Sequence, residues 1–210
     1  MKSGWLISFE GPDGAGKSTQ IEKVEAFLKE QGIPFLRSRE PGGTSIGEML
    51  REILLDKNNS EMNARTEALL YAAARAQHVE QVIRPALMSG KTVICDRFTD
   101  SSIAYQGYGR GLGADTIQSI NAFATGELQP DFTILLMLDP EEGMRRAGKD
   151  HKPDRLESEN EAFHRVVYRG YRELAQQNPD RIIAVNANGN VEEIAAQIRT
   201  RMLAFLGGQK

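Results

Sequence analysis

A glycine-rich stretch near the amino terminus constrains the fold more than any other part of the chain. It matches the pattern G-x-x-x-x-G-K-[ST], with Gly11 at its start and Gly16, Lys17 and Ser18 at its end. An apolar run over residues 5–9 precedes it and a helical pattern follows it, which is the context that this pattern requires. The glycines let backbone N–H groups surround an anion, the lysine reaches the β- and γ-phosphates, and the serine is a ligand for Mg²⁺. The residues predicted to bind a nucleoside triphosphate such as ATP are Gly11, Pro12, Asp13, Gly14, Ala15, Gly16, Lys17, Ser18 and Thr19.

The length and composition are those of an ordinary globular protein. The chain has 210 residues, 40% hydrophobic and 26% charged, which is enough to bury the core of one α/β domain. A net charge of −3 argues against a broad surface for nucleic acid. No apolar stretch approaches the roughly 18 residues that span a bilayer, and Glu10 and Asp13 interrupt any signal-peptide pattern. With Cys95 as the single cysteine, we expect a cytoplasmic protein that binds neither nucleic acid nor membrane.

Short apolar runs alternate along the chain with stretches of helical periodicity. The predicted strands cover residues 5–10, 34–38, 92–95, 132–138 and 181–185. The predicted helices cover residues 17–31, 45–55, 64–88, 99–107, 114–125, 141–147, 158–177 and 191–206. We expect Pro85 to kink or trim its helix. The alternation predicts an α/β fold of the P-loop NTPase type, a parallel sheet of about five strands flanked by helices on both faces, in a single domain over residues 1–210.

Two charged residues follow the third predicted strand. Asp96 stands where a phosphate-binding fold places a carboxylate that positions magnesium, although a strand-end aspartate also caps a following helix. Arg97 is next to it, at the edge of the sheet where open α/β sheets bind their ligands. Together with the glycine-rich loop, the pair favours a phosphate site over a structural cap.

Further polar and aromatic residues are expected at the same edge. They lie in the segment Arg39–Gly43, at Tyr71 and Arg75, and at Ser101, Ser102, Tyr105 and Gln106. The spacing of Tyr71 and Arg75 places a ring and a guanidinium on one helical face. These groups together describe a nucleotide acceptor pocket. The ring would stack on a base, the amide and guanidinium groups would bind the base edge, and the arginines would bind phosphate. Taken singly, a tyrosine such as Tyr71 more often belongs to the core, and a glutamine such as Gln106 more often lies on the surface.

A basic stretch over residues 144–155 has two interpretations. It carries the cations Arg145, Arg146, Lys149, Lys152 and Arg155. Such a run is commonly a solvated charged loop. In a phosphotransferase it would be a lid, covering residues 144–157, that brings cations to the transferring phosphoryl group, where the transition state spreads negative charge over the oxygens.

The chain resembles the thymidylate kinase family in its bacterial form, and the resemblance covers nearly the whole sequence. The matching segments are Phe9–Thr19, Arg39–Thr44, Tyr71–Arg75 and Asp96–Gly107. The last segment is the most diagnostic, because Asp-Arg followed by Ser-x-x-Tyr-Gln-Gly is typical of this family and not of P-loop proteins in general. The resemblance implies transfer of the γ-phosphate of ATP to dTMP, giving dTDP for dTTP synthesis, with Mg²⁺ as cofactor.

The resemblance also implies how the pocket would hold the base and the sugar. Arg75 would contact thymine O4, and Tyr71 would stack on the ring. Ser102 and Gln106 would help read the thymine edge. Tyr105 would pack against the deoxyribose where a 2′-hydroxyl would lie, and so disfavour ribonucleotides.

The remaining implied roles belong to the sugar, the phosphate and the metal. Asp13 would accept a hydrogen bond from the 3′-hydroxyl of dTMP, and Arg97 would bind the phosphate of dTMP. Asp96 and Ser18 would hold the Mg²⁺ shell. The residues thus assigned to dTMP are Asp13, Glu40, Arg51, Tyr71, Arg75, Arg97, Ser101, Ser102, Tyr105 and Gln106.

Two positions depart from the family pattern. Tyr71 stands where phenylalanine is usual, so its hydroxyl needs a partner. Ala15 stands where some members carry an arginine, and members with a small residue there supply cations from the lid. Arg145 is alternatively expected to flank the adenine, opposite the loop 186–190. The residues assigned to catalysis are Lys17, Arg97, Arg145, Arg146, Lys149, Lys152 and Arg155.

Other functions remain open at this stage. A kinase for another nucleotide or nucleoside would need a similar pocket. A P-loop switch would need a guanine-reading Asn-Lys-x-Asp motif, which the sequence lacks. An ATP-dependent nucleic-acid enzyme fits poorly with the net charge. The resemblance implies ATP and dTMP as partners, and a homodimer formed through helices such as that over residues 64–88.

Overall fold

The structure of the chain, a computed structural model, describes residues 4–147 and 153–207. The strands of the described part are β1 (Leu6–Glu10), β2 (Phe35–Arg39), β3 (Thr92–Asp96), β4 (Phe132–Met137) and β5 (Ile182–Asn186). They form one parallel sheet in the order β2-β3-β1-β4-β5. Each observed strand coincides with a predicted strand to within one residue at either end, and the predicted fold class is confirmed.

The helices cover both faces of this sheet. They are α1 (Lys17–Glu30), α2 (Ser45–Leu55), α3 (Ala64–His78), α4 (Arg84–Met88), α5 (Thr99–Ser102), α6 (Ala114–Thr125), α7 (Pro140–Ala147), α8 (Glu161–Gln177) and α9 (Val191–Gly207). The predicted helix over 158–177 begins later, because the Asn160 side chain accepts a hydrogen bond from the Phe163 N–H at 2.9 Å and caps α8.

Two π-helical segments, Val79–Ile83 and Ile103–Gly109, join shorter helices. The first links α3 to α4, so the predicted helix over 64–88 is continuous and Pro85 does not end it. The Arg84 N–H donates to the carbonyl of Val79 five residues earlier, and this wider turn makes room for the proline ring. The second π-helical segment replaces the last turns of the helix predicted over 99–107.

Each face of the sheet has its own hydrophobic core because successive strand residues point to opposite sides. In β4, Ile134 and Leu136 pack into the core beneath α1 and α9, whereas Leu135 packs into the core beneath α8 and the second π-helical segment. A strand buried on both faces reads as a continuous apolar run, which is why β4 is so clear in the sequence.

The carboxyl ends of the central strands form the edge on which a site can be built. Glu10, Arg39 and Asp96 are the last residues of β1, β2 and β3. The strand order reverses at β1, and ligands of open α/β sheets bind in the crevice at such a point. Across both described ranges, every helix is too short or too polar to cross a bilayer.

The close approach of α8 to the second π-helical segment generates a stability prediction. A Cβ at Gly109 would lie 2.7 Å from Phe163 Cε2 and 3.0 Å from Val167 Cγ2, both in buried side chains. We expect Gly109→Ala to lower the free energy of unfolding by about 1–3 kcal/mol, measured by urea denaturation. Gly207→Ala is the control, since nothing lies within 4 Å of its Cβ position. An equal effect of both substitutions would contradict this packing.

Candidate active site

The glycine-rich loop connects β1 to α1 and is shaped by contacts that only glycine allows. Gly11 has a φ of 131° and Gly14 a φ of 75°. A Cβ at Gly11 would lie 2.3 Å from the carbonyl oxygen of Leu136, and one at Gly14 would lie 2.3 Å from that of Gly143. The loop therefore turns tightly against β4 and α7, and delivers the amino terminus of α1 to the crevice, where its N–H groups favour an anion.

Lys17 lies across this loop. Its Nζ donates to the carbonyl oxygens of Gly11 and Pro12, each at 3.0 Å. Burial, and then the nearby charge of Arg97, lowers the pKa of Lys17 to about 8. A buried ammonium held among carbonyl groups gains a strong partner when phosphate oxygens arrive.

A cavity of about 470 Å³ lies next to the loop, at the carboxyl ends of β1, β2 and β3. Every residue predicted to bind the acceptor lines it, as do Lys17, Ser18 and Asp96. In the loop itself, Gly11, Pro12 and Ala15 do not face the cavity. Residues from four separate segments of the sequence are thus brought to one site.

Arg97 joins the loop to this cavity. Its φ of 66° is rare for a residue with a side chain, and its N–H donates to the Phe9 carbonyl at 2.9 Å. The guanidinium turns back toward the loop, where Nη2 donates to Asp13 Oδ1 at 2.5 Å and Nη1 donates to the Gly11 carbonyl at 3.0 Å. Burial alone would raise the pKa of Asp13, but the charges of Arg97 and Lys17 outweigh it and lower the pKa to about 2. Tyr105 donates to the other oxygen of Asp13 at 3.2 Å.

A buried carboxylate that sequence reasoning missed supports Arg97 from behind. Glu10 is fully buried; it accepts from the Phe98 N–H at 2.8 Å and from the Ser101 hydroxyl. Ser101 in turn lies 2.8 Å from the hydroxyl of Tyr171, and Arg97 Nη1 is 3.3 Å from both hydroxyl oxygens. The position of Glu10 directly before the loop is a sequence feature that could have indicated its role. No comparable sequence feature indicates the role of Tyr171.

Arg75 and Glu40 form a second buried ion pair. Arg75 Nε donates to Glu40 Oε2 at 2.8 Å, and the other Glu40 oxygen lies 2.9 Å from His78 Nδ1. Arg75 also donates to Ser102 Oγ, to Asn121 Oδ1 and to the Phe98 carbonyl. These bonds fix the guanidinium at the cavity wall, which Glu40 lines as well.

A third buried carboxylate, Glu67, binds Arg155. Arg155 is predicted above to be a lid cation, but its Nη1 donates to Glu67 Oε2 at 2.7 Å and its Nε donates to the Leu54 carbonyl at 2.8 Å. A carboxylate removed from water requires such a partner, so the guanidinium is engaged inside the protein. Gln106 and Arg110 also donate to Glu67.

The remaining basic residues of the predicted lid differ in position. Arg145 is exposed and pairs with Glu142 at 2.7 Å. Arg146 lines the cavity and donates to the Ala187 carbonyl at 2.9 Å, so Arg146, and not Arg145, contacts the loop after β5. Lys149 and Lys152 lie outside the described residues.

The oxygen donors on the loop side suit a hard cation. Ser18 and Asp96 both line the cavity, and hydroxyl and carboxylate oxygens are the ligands that Mg²⁺ prefers. A different cluster, Glu40, His78 and Cys95, has ligand atoms within 4.8 Å of one another. There, both imidazole nitrogens already have partners, Glu40 at 2.9 Å and Ser38 at 2.6 Å.

The fold and the loop together define a P-loop nucleotide-binding protein, and the adjoining cavity gives it room for a second ligand. The thymidylate kinase family model matches residues 9–198, and the chain belongs to that family.

Thymidylate kinases with similar sequences come from several bacteria. The protein of Lactobacillus delbrueckii subsp. bulgaricus is 54% identical over 196 residues, 92% of each chain. That of Bacillus velezensis is 48% identical over 192 residues, 90% of this chain and 91% of the relative. That of Clostridium novyi is 44% identical over 201 residues, 95% of this chain and 98% of the relative.

The environment of Glu10 predicts an unusual dependence of stability on pH. Burial, and then the charge of Asp100, raises the pKa of Glu10 from 4.5 to about 7. Between these values the unfolded chain has released a proton that the folded chain still holds, so stability falls as pH rises, by at most about 1.4 kcal/mol per pH unit.

We expect Glu10→Gln to remove this contribution, so that the variant gains stability relative to the parent protein from pH 5 to pH 7. Urea denaturation at pH 5, 6 and 7 measures it, with the exposed Glu22→Gln as control. A stability difference that stays constant over this range would contradict the prediction.

Proposed function

We propose that the chain transfers the γ-phosphoryl group of ATP to dTMP, giving dTDP. The observation that carries this proposal is the contact of Arg97 with Asp13. It sets a guanidinium for an acceptor phosphate directly against the loop that holds the donor. Family membership supports the same reaction.

The cavity can accommodate a nucleotide with its phosphate at the loop end and its base at the far wall. Arg97 lies at the loop end, and its bonds to protein groups leave the Nε side of the guanidinium for phosphate oxygens. Asp13, kept ionised, can accept from a sugar hydroxyl. Arg75 and Gln106 line the wall farther along and offer hydrogen bonds to a base edge, with the Tyr71 ring beside them. Arg51 donates to the Pro41 carbonyl and lines the same wall.

The chemistry asked of the protein is mainly positioning and charge stabilisation. Lys17 and the loop N–H groups would hold the donor phosphates, and Arg97 would hold the acceptor oxygen in line with them. Ser18 and Asp96 would hold Mg²⁺, which would supply positive charge to the donor phosphates. Arg146 is a described cation of the segment 144–157 that already faces the cavity, and we infer that this segment serves as the lid.

A panel of acceptors tests the proposal. ADP formation is measured with ATP and dTMP, dUMP, dCMP, dGMP or thymidine. We expect the highest kcat/KM for dTMP. A preference for thymidine would contradict the phosphate-binding role of Arg97, and turnover without any acceptor would instead indicate a nucleotide switch.

Replacing the central guanidinium gives a sharper test. We expect Arg97→Ala to lower kcat/KM for dTMP by about 100-fold or more, because it removes a charge-assisted contact to the acceptor phosphate. The exposed Arg199→Ala, on α9, is the control. Because Arg97 also holds Asp13, the melting temperature is measured in parallel. A folded Arg97→Ala enzyme with near-parental kcat/KM would exclude this role.

We also propose that the chain forms a homodimer and works in the cytoplasm, where its nucleotide substrates are. Apolar side chains are exposed along α2, α3 and α6, and these helices are neighbours because α3 packs against both of the others. They are Ile46, Met49, Ile53, Leu69 and Phe123, the last of them 92% exposed. A second copy presenting the same face would cover them.

Light scattering at micromolar concentration measures this association. We expect a dimer for the parent chain and a monomer for Phe123→Glu, because a buried unpaired carboxylate opposes the contact. Leu203→Glu, at an exposed apolar position on α9, should remain dimeric. Two monomeric variants, or a monomeric parent chain, would contradict the proposed face.

A further inference from the structure

Glu67 is a fully buried carboxylate whose two oxygens face only hydrogen-bond donors among the described residues. Its Oε1 accepts from Gln106 Nε2 at 2.9 Å and from Arg110 Nε at 3.2 Å. Its Oε2 accepts from Arg110 Nη2 at 3.0 Å and from Arg155 Nη1 at 2.7 Å. Burial alone would raise the pKa of Glu67, but the hydrogen bonds from Arg110 and Gln106 outweigh it and hold the pKa below its ordinary value. The group is therefore an anion that can accept hydrogen bonds and cannot donate one.

This anion fixes the orientation of the Gln106 side chain. An amide carries a donor nitrogen and an acceptor oxygen of almost equal size, and its neighbours decide which way it points. Turning the Gln106 amide over would place its oxygen 2.9 Å from a carboxylate oxygen, with no proton between them. The nitrogen must therefore face Glu67 with one of its N–H groups, and the carbonyl oxygen Oε1 is the acceptor that Gln106 can offer to a ligand in the cavity that it lines.

The neighbouring Arg75 offers the opposite type of group. Its four hydrogen bonds to Glu40, Ser102, Asn121 and the Phe98 carbonyl use four of the five N–H groups of a guanidinium. One N–H, on Nη2, is not used by these bonds, and Arg75 lines the same cavity. The wall thus presents one donor and one acceptor. An imide edge, with a carbonyl beside an N–H, matches this pair, whereas the edge of cytosine has an amino group beside a bare nitrogen and mismatches both.

We propose that Glu67 is a positioning residue that sets the hydrogen-bond polarity of this wall, so that the enzyme accepts an imide base and rejects an aminopyrimidine. Glu67 touches no substrate and acts only through Gln106. The inference rests on the proposed function, which places the base of the acceptor nucleotide against Arg75 and Gln106.

The substitution Glu67→Gln tests the proposal without changing the size of the side chain. Its oxygen will take the position of Oε2 and accept from Arg110 Nη2 and Arg155 Nη1, because this orientation gives up only the 3.2 Å contact with Arg110 Nε. Its NH₂ group will then take the position of Oε1 and face Gln106. The Gln106 amide must then turn its own oxygen inward and present a donor to the cavity. We expect kcat/KM for dTMP to fall about 10- to 100-fold, mainly through KM, and the ratio of kcat/KM for dTMP over dCMP to fall at least about tenfold.

Arg110→Gln is the matched control. It removes a guanidinium from the same carboxylate but leaves Glu67 an acceptor held by Arg155, so the ratio of dTMP to dCMP should stay at the parental value even if the protein is less stable. A Glu67→Gln enzyme with the parental ratio, or an equal loss of the ratio in Arg110→Gln, would overturn the proposal.

A measurement on the parent enzyme covers the case in which Glu67→Gln does not fold. Neutron diffraction of the dTMP complex after deuterium exchange locates the amide deuterons of Gln106. Deuterons on the atom facing Glu67 support the proposal, and deuterons on the atom facing the base overturn it. A parent enzyme that phosphorylates no dTMP would instead refute the proposed function, which separates the two failures.

Discussion

The ion pair between Asp13 and Arg97 is the contact on which the rest of the site depends. Asp13 belongs to the loop that follows β1, and Arg97 follows β3, the strand paired with β1. Because both strands end at the same edge of the sheet, the pair ties the donor loop to the wall of the acceptor cavity. The left-handed backbone of Arg97 is required for this, since it turns the side chain back over the loop instead of along the strand. In the proposed reaction, the pairing of two central strands would thus set the geometry of phosphoryl transfer.

The same cavity is surrounded by buried carboxylates, and each is held by groups that make its burial tolerable. Glu40 has Arg75 and His78, and Glu67 has Arg110 and Arg155. Removing an ion from water costs several kcal/mol, so such pairs contribute little net stability. Their effect is to restrict side-chain orientation. A guanidinium with four of its five N–H groups bonded can present only the fifth to a ligand, and an amide whose nitrogen is held by a carboxylate keeps its oxygen as the acceptor. The wall thereby acquires a fixed pattern of donors and acceptors.

The sequence predicted the parts of this structure that depend on local patterns. The parallel strands appear in the sequence as apolar runs because helices cover both faces of the sheet. The loop requires glycine because a Cβ at Gly11 or Gly14 would lie 2.3 Å from a backbone carbonyl oxygen. Arg75 and Gln106 are predicted at this edge from the residue pattern, their individual roles are implied by the family resemblance, and the structure brings both residues to one cavity. It could not be predicted that Tyr171 supports a serine 70 residues earlier, or that Arg155 pairs with a glutamate 88 residues away. Partners so distant in sequence leave no periodicity, and a basic residue in a charged run looks the same whether it meets phosphate or a buried carboxylate.

The position of Arg155 also changes where positive charge for the reaction can come from. Ala15 leaves the loop without a cation of its own beyond Lys17, so the proposed function draws further charge from the segment after β4. Arg155 is bound to Glu67, and Arg145 and Arg146 share Glu142. Of these three, Arg146 is the one that faces the cavity. Its bond to the Ala187 carbonyl fixes α7 against the loop after β5. A cationic side chain that the protein already holds in place loses little further conformational entropy when it binds a phosphate. Arg146 is therefore favoured over a freely solvated side chain as a cation for the transferring phosphoryl group.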